Sequence, residues 1–173
     1  MTVRLKTFLA LSLAMLPASL AAETAPVDPV TTFLQHNRTE RGVVETASGL
    51  QYKVIAPGDG GVRPGDNDVV LITYKGMLID GSTFDEAARP TPMPVADVVP
   101  GFSEGLKLMP RGATYRFWIK PELGYGETAS GPIPAHSILV FDLQLLDFKS
   151  MDEIRRMQLQ MQQQQQGGPA PAQ

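Results

Sequence analysis

The chain has 173 residues and a formal charge of -3, and it contains 16 glycines, 15 prolines and no cysteine. This length suits one domain of ordinary size, and 43% apolar with 19% charged residues is typical of a globular protein rather than a disordered one. Without cysteine a disulfide framework is excluded, and the acidic balance gives no reason to expect nucleic acid or an anionic membrane as a partner.

Residues 1–22 have the pattern of a secretory signal peptide. Arg4 and Lys6 form a basic start, an apolar run covers 7–16, and mostly small residues follow over 17–22. The apolar run is far shorter than the ~20 residues that span a bilayer, which disfavours a membrane anchor. We therefore expect a periplasmic protein that carries a charge of -5 once these two basic residues are removed, and that does not insert into the membrane.

Residues 23–48 are predicted to form a linker and a short helix. Val30, Phe33 and Leu34 fall on one face of a helix over 30–41, which Gly42 would end. The segment is too short to be a domain of its own.

Residues 49–149 are predicted to be the folded domain, because short apolar alternations are separated there by Pro-Gly, Gly-Gly and Asp-Gly pairs. A helix is predicted over 101–109, where Phe102, Leu106 and Met109 recur at helical spacing. Strands are predicted over 50–56, 69–75, 82–85, 113–120 and 138–148. Five strands and one helix predict an α+β fold in which a curled antiparallel sheet wraps over the helix.

Residues 150–173 form a tail rich in Met and Gln. Met151, Ile154, Met157 and Met161 lie roughly in register on a helix, and five consecutive glutamines follow. These are too few heptads to predict a coiled coil. The composition favours a solvated extension, and the alternative is a helix that binds a partner or self-associates.

Several kinds of chemistry are excluded by the residues themselves. Two histidines and no cysteine provide no metal-ligand cluster, and neither histidine lies in a pattern with a serine nucleophile. No stretch matches a phosphate-binding or dinucleotide-binding glycine motif. We therefore expect a site that uses neither a metal nor another cofactor.

Aromatic residues beside loop glycines are the remaining candidates for a site. They are Tyr74, Phe84, Phe102, Tyr125 and, in the last predicted strand, Phe141. From periodicity alone these rings would be assigned to core packing, and Asp85 to a turn or a cap. Nothing in their spacing shows that they converge on a pocket.

Four segments of the chain resemble the successive signatures of FKBP-type peptidyl-prolyl isomerases, in the family's order and at its spacing. They are TYKGMLIDGSTFD (73–85), VVPGFSEGLKLM (98–109), PELGYG (121–126) and IPAHSILVFDLQLL (133–146). Several motifs in one order are far more specific than one short pattern. In addition, GVVETASGLQYKV (42–54) resembles the lead-in of exported bacterial members, including the macrophage-infectivity-potentiator group. We expect a member without the long helical dimerisation arm that some of those carry.

The resemblance implies an enzyme that binds proline-containing polypeptides and speeds rotation about their X-Pro bonds without a cofactor. It implies that the Tyr125 hydroxyl donates to one substrate carbonyl, that the Val99 N–H donates to another, and that Asp85 orders the pocket wall. The implied catalytic residues are Asp85, Tyr125 and Phe141, and the implied substrate-binding residues are Tyr74, Phe84, Val98, Val99, Phe102 and Ile133.

The chain departs from the family pattern at the pocket floor, where Phe102 replaces the usual Trp, and at Met93, where aromatics are common. Macrolide inhibitors, which the resemblance implies as ligands, are therefore expected to bind less tightly. A second class of function stays open at this point, a periplasmic chaperone or peptide-binding module of the same fold with weak or vestigial isomerase activity. That alternative predicts suppression of aggregation without any effect on the rate of X-Pro isomerisation.

Overall fold

The computed structural model describes residues 28–166, so the predicted leader and the end of the tail lie outside the described residues. The strands are β1 (Val43–Glu45), β2 (Gln51–Ala56), β3 (Asp68–Leu78), β4 (Thr83–Pro94), β5 (Thr114–Ile119) and β6 (Leu139–Ser150). The helices are α1 (Pro29–Asn37), α2 (Pro100–Leu108) and α3 (Met151–Gln166), with short 3-10 turns at Val95–Asp97 and Pro121–Leu123.

The strands form one antiparallel sheet in the order β1-β2-β5-β6-β3-β4. The α+β class with a curled antiparallel sheet is confirmed. Within 49–149 the expected five strands and one α-helix are present as β2 to β6 and α2, and a sixth strand, β1, lies before this range. The short strand β1 was not predicted, and β4 continues to Pro94, where it pairs with Val69, instead of ending at Asp85.

Helix α2 packs on the inner face of the sheet, as its apolar spacing predicted. Phe102, Leu106 and Met109 are all buried in the main core. Gly105 allows this close packing, because a Cβ there would lie only 2.8 Å from Cε1 of Phe117. The helix therefore packs closely against β5.

Helix α1 covers the outer face of the same sheet. Its predicted apolar face, formed by Val30, Phe33 and Leu34, packs against a second cluster around Trp118 and Val140. Both faces of β5 and β6 are thus covered, one by α2 and the other by α1.

A buried hydrogen-bond network centred on Gln51 joins α1 to the sheet. The Gln51 side chain is fully buried; its Oε1 accepts from Asn37 Nδ2 at 2.8 Å, and its Nε2 donates to the Leu34 carbonyl at 2.9 Å and to Glu45 Oε2 at 2.6 Å. Because buried polar groups are costly when unpaired, this network fixes the position of α1.

The two free edges of the sheet differ in how they are protected. At one edge, β1 is only three residues long. At the other, β4 carries Pro90, Pro92 and Pro94 at every second position, so its free edge lacks N–H donors there. Short strands and edge prolines are the devices that limit strand-to-strand association between molecules.

Helix α3 follows β6 directly and extends from the domain. Ser150 Oγ accepts a hydrogen bond from the Glu153 N–H at 3.1 Å, which caps its first turn, and Ile154 lies beside Phe148. Its remaining side chains described by the structure are largely exposed. Across residues 28–166, no helix combines the length and apolarity needed to cross a bilayer.

Candidate functional site

A cavity of about 310 Å³ opens between β3, β4, the start of α2 and β6. Its lining residues are Tyr74, Phe84, Asp85, Met93, Asp97, Val98, Val99, Phe102, Tyr125 and Phe141. Eight of the nine residues implied by the family resemblance are among them. Residues up to 67 positions apart in the chain therefore meet around one space.

The ninth residue, Ile133, does not line this cavity. It is 5% exposed and belongs to the main core. The chain turns sharply at this point, because the backbone groups of Ser130 and Ile133 hydrogen-bond each other at 2.9 and 3.0 Å. The expectation of a substrate contact through Ile133 therefore finds no support in the lining of the cavity.

Two lining residues, Met93 and Asp97, were not predicted as site residues. Met93 lies near the end of β4, beyond the predicted strand. Asp97 ends the 3-10 turn that precedes Val98. An exposed carboxylate in a short turn has no periodic pattern, and only its position beside the 98–109 motif could have indicated it.

Four aromatic rings form the apolar wall of the cavity. The Phe141 ring lies edge-on to those of Phe102, Phe84 and Tyr74, with centroid distances of 4.8, 5.5 and 6.1 Å. The Tyr74 and Phe102 rings meet at 6.0 Å, also edge to face. Edge-to-face contacts are the favoured geometry for aromatic pairs, so the rings hold one another in place.

Gly76 is needed for this arrangement of rings. It is paired with Asp85 on β4 and with Phe141 on β6, in the middle of three strands. A Cβ at this position would lie 2.7 Å from Cε2 of Phe84 and 2.9 Å from Cε1 of Phe141. The absence of a side chain at Gly76 therefore allows both rings to lie over the strand.

The polar part of the cavity centres on Tyr74 and Asp85. The Tyr74 hydroxyl donates a hydrogen bond to Asp85 Oδ2 at 2.6 Å, and Asp85 Oδ1 accepts the N–H of Glu86 at 2.9 Å. Burial first, and then the hydrogen bond to Asp85, raise the pKa of Tyr74 to about 12. Tyr74 is therefore neutral at physiological pH and serves as a donor to the carboxylate.

Val99 and Tyr125, which both line the cavity, each have a hydrogen-bond donor without an acceptor in the described range 28–166. Val99 is the N-cap of α2, and its carbonyl accepts the N–H groups of Phe102 and Ser103 at 3.0 Å each. Its own N–H donates to no group within residues 28–166. Tyr125 is 43% exposed, and its hydroxyl likewise has no hydrogen-bond partner in that range. Both groups are available to a bound molecule.

The described residues contain no group of three or more His, Asp or Glu side chains placed to hold a metal ion together. The chemistry available in the cavity is that of an apolar aromatic surface, two free hydrogen-bond donors and two carboxylates. Such a site can bind and orient an amide.

Two family models match the chain. The model described as FKBP-type peptidyl-prolyl cis-trans isomerase matches residues 60–146, and the model described as the domain amino terminal to FKBP-type peptidyl-prolyl isomerase matches residues 20–54. The first of these includes every lining residue of the cavity.

Curated relatives are about 40% identical to this chain over the aligned residues. The FKBP-type peptidyl-prolyl cis-trans isomerase FkpA of Aeromonas hydrophila is 42% identical over 117 residues, which is 66% of this chain and 43% of that protein. The outer membrane protein MIP of Legionella longbeachae is 40% identical over 121 residues, which is 68% of this chain and 52% of that protein. The chain thus spans about half the length of the curated relatives it matches.

Solved structures of similar proteins have the same fold. The crystal structure of FkpA from Escherichia coli has a TM-score of 0.67 and 39% identity, and the match covers 70% of this chain and 58% of that one. A peptidyl-prolyl cis-trans isomerase from Pseudomonas syringae also has a TM-score of 0.67, with 31% identity, and the match covers 70% of this chain and 91% of that one.

Proposed function

Because the chain belongs to the family of FKBP-type peptidyl-prolyl cis-trans isomerases, we propose that it accelerates rotation about X-Pro bonds in proline-containing polypeptides. The observation that carries this proposal is the aromatic cavity, in which eight of the residues implied by the family motifs meet. It has the size and the apolar wall that suit a prolyl ring.

The reaction needs little catalytic power and no covalent step. The barrier to rotation about a peptide bond is about 18–20 kcal/mol, and an X-Pro bond takes roughly tens to hundreds of seconds to isomerise unaided. A thousandfold acceleration requires only about 4 kcal/mol of preference for the transition state. A few directed contacts supply that amount.

The aromatic wall favours the transition state because of its polarity. A planar amide is stabilised by charge-separated resonance, which water solvates well, whereas the twisted amide has lost this resonance and is less polar. The rings of Phe102, Phe141 and Tyr74 replace water around the amide with an apolar surface. The twisted amide therefore loses less solvation free energy than the planar amide on entering such a site.

The free donors then hold the twisted form. We assign the Tyr125 hydroxyl to one substrate carbonyl and the Val99 N–H to another, since both residues line the cavity and neither donor has an acceptor within residues 28–166. Asp85 acts on the wall rather than on the amide, because its carboxylate fixes the Tyr74 ring through their hydrogen bond. This is differential binding of the transition state and not acid-base catalysis.

Macrolide inhibitors would compete for the same apolar floor. The Phe102 ring forms that floor and is 6% exposed. A single six-membered ring offers less contact area than an indole, so we propose that macrolides bind, and that they bind more weakly than they do to a pocket with a Trp floor.

We further propose that the protein acts after export, in the periplasm. Two observations support this. One is the basic, apolar and small-residue pattern of 1–22, which lies outside the described residues, and the other is the similarity to a relative named outer membrane protein MIP. Fractionation of cells that express the full chain, with mass spectrometry of the exported form, tests it. A protein that stays in the cytoplasm with residues 1–22 intact would contradict this location.

Isomerase activity is tested by the refolding of a protein whose slow step is X-Pro isomerisation, together with NMR exchange measurements on short proline peptides. The wild-type protein is expected to accelerate both. Tyr125→Phe is expected to reduce kcat/KM by roughly three- to tenfold, as for the loss of one hydrogen bond of about 1 kcal/mol.

Tyr52→Phe is the matched control, because Tyr52 stacks on Tyr115 and does not line the cavity. A wild-type protein that suppresses aggregation but accelerates neither reaction would refute the proposal in favour of a peptide-binding chaperone.

A further inference from the structure

The cavity carries an uneven distribution of charge. Asp85 and Asp97 are the only charged residues that line it, and both are acidic. A substrate segment entering this cavity therefore meets negative charge and no compensating cation from its lining.

The two carboxylates differ in what they already bind. Both oxygens of Asp85 are engaged, one by the Tyr74 hydroxyl and the other by the Glu86 N–H. The Asp97 side chain is exposed and, within residues 28–166, accepts no hydrogen bond and forms no ion pair. By contrast, Asp66 and Asp142 are each paired with a basic side chain. Asp97 is thus the carboxylate that is free to bind a substrate group.

The position of Asp97 relates it to the bound chain. It ends the 3-10 turn Val95–Asp97, and it lies two residues before Val99, which also lines the cavity and whose N–H has no acceptor within residues 28–166. The hydrogen bonds that Val99 accepts from α2 fix this short segment. Because Asp97 and Val99 line the same cavity, a peptide bound to the Val99 N–H would pass close to the Asp97 carboxylate, and a long flexible side chain could reach it.

We propose that Asp97 is a specificity-determining residue that makes this site prefer polypeptides with a Lys or Arg next to the proline. This inference rests on the proposed isomerase function, and its test distinguishes a failure of the Asp97 preference from a failure of that function. The pair would be partly exposed, and exposed ion pairs of this kind change an equilibrium by about two- to fivefold. Peptides with Glu at the same position are disfavoured by repulsion.

The test compares blocked, uncharged-end peptides that differ only beside the proline, with Lys, norleucine or Glu before it in one series and after it in another. Norleucine keeps most of the length of Lys without its charge. Both kcat/KM from NMR exchange and the dissociation constant from NMR titration are measured for each peptide. We expect the Lys-to-norleucine ratio to be about two to five at low salt in at least one series. At ~1 M salt, where the screening length is ~3 Å, the ratio should approach one.

Three variants show whether the preference belongs to Asp97. Asp97→Asn should bring the Lys-to-norleucine ratio to about one, and Asp97→Glu should retain it. Asp152→Asn changes the net charge by the same amount on α3, outside the cavity, and should leave the ratio unaltered. If a substitution at Asp97 instead disturbed the structure of the site, kcat/KM would fall for all peptides alike and the Lys-to-norleucine ratio would not change.

The results distinguish the inference from the function. A wild-type protein with no preference for Lys, or an Asp97→Asn variant that keeps the full preference, overturns the inference whatever the activity. If the protein binds Lys peptides more tightly through Asp97 but accelerates no isomerisation, the inference stands and the proposed function fails.

Discussion

The hydroxyl of Tyr74 and the carboxylate of Asp85 are joined by a 2.6 Å hydrogen bond across the paired strands β3 and β4. This bond and the burial of the ring raise the pKa of Tyr74 to about 12, and burial is the larger cause. In Asp85→Asn we therefore expect the pKa of Tyr74 to fall, but to stay above the ordinary value of 10.0. Absorbance titration at alkaline pH measures it, with Tyr74→Phe to identify which step belongs to Tyr74.

The raised pKa of Tyr74 also makes the stability of the fold depend on pH in the alkaline range. Between pH 10 and 12 the unfolded chain releases the Tyr74 proton, whereas the folded chain retains it. The free energy of unfolding should therefore decrease as pH rises through this window, and Tyr74→Phe should show a smaller decrease. Urea unfolding at pH 9 and pH 11 provides the comparison. Equal pH dependence in the two proteins would contradict a raised pKa at Tyr74.

Phe141 is expected to contribute to activity beyond its contribution to stability. It contacts three of the cavity rings, and directly opposite it on β5 lies Phe117, which is buried but does not line the cavity. Phe141→Leu and Phe117→Leu should each cost about 1–3 kcal/mol of unfolding free energy. Only Phe141→Leu should also reduce kcat/KM per folded molecule, by tenfold or more.

Chemical denaturation and isomerisation of a proline peptide provide the two measurements. Full activity in a folded Phe141→Leu protein would refute the assignment of the cavity as the catalytic site. The more severe Phe141→Ala should reduce activity further, although its cavity cost of about 3–5 kcal/mol calls for work at low temperature.

Gly76→Ala should damage the site through the rings that cover it. The added Cβ would meet both Phe84 and Phe141 at less than 3.0 Å, and displacing well-packed rings costs about 1–3 kcal/mol. We expect lower stability and a lower kcat/KM.

Gly65→Ala is the matched control, since the nearest atom to its added Cβ is Asp68 Oδ2 at 4.0 Å, and it should change stability by less than about 0.5 kcal/mol. If the two substitutions lowered kcat/KM equally, displacement of the Phe84 and Phe141 rings would not be the cause of the lower activity.

Gln51→Leu should detach α1 from the sheet while leaving the cavity intact. The change leaves the buried Asn37 amide and the Leu34 carbonyl without their partner, at a cost of about 2–3 kcal/mol. Gln144→Leu, at an exposed position on β6, serves as the control and should cost less than about 0.5 kcal/mol. Hydrogen exchange of the α1 amides should increase in Gln51→Leu alone, with kcat/KM unchanged in the folded fraction. A lower kcat/KM in the folded Gln51→Leu protein would indicate that the position of α1 affects the site.

The sequence predicted those parts of the fold that depend on a regular apolar period. Alternation in β5 and β6 and the helical spacing of Phe102, Leu106 and Met109 identified elements whose side chains proved to be buried. It could not predict β1, whose three residues show no clear alternation. It also ended β4 too early, at Asp85, whereas the strand continues to Pro94 through three prolines that are tolerated because β4 is an edge strand.

The candidate site required more than periodicity. Tyr74, Phe84 and Phe141 were indistinguishable from ordinary core residues until family motifs grouped them, because only tertiary pairing brings their strands together. The motifs also included Ile133, which lies in the buried core and not in the lining of the cavity, so its role in substrate binding stays a prediction. Asp97 was missed for the opposite reason, as it lies just outside a motif.

The prolines of β4 have a consequence for how such a protein could handle unfolded chains. A site that receives extended, proline-bearing segments beside an open sheet edge risks recruiting them as an additional strand, which would trap the client and seed aggregates. Pro90, Pro92 and Pro94 deny that edge the amide donors a visiting strand would need. Segments of the proposed substrates could then be bound by side chains and released, without backbone hydrogen bonds to that edge.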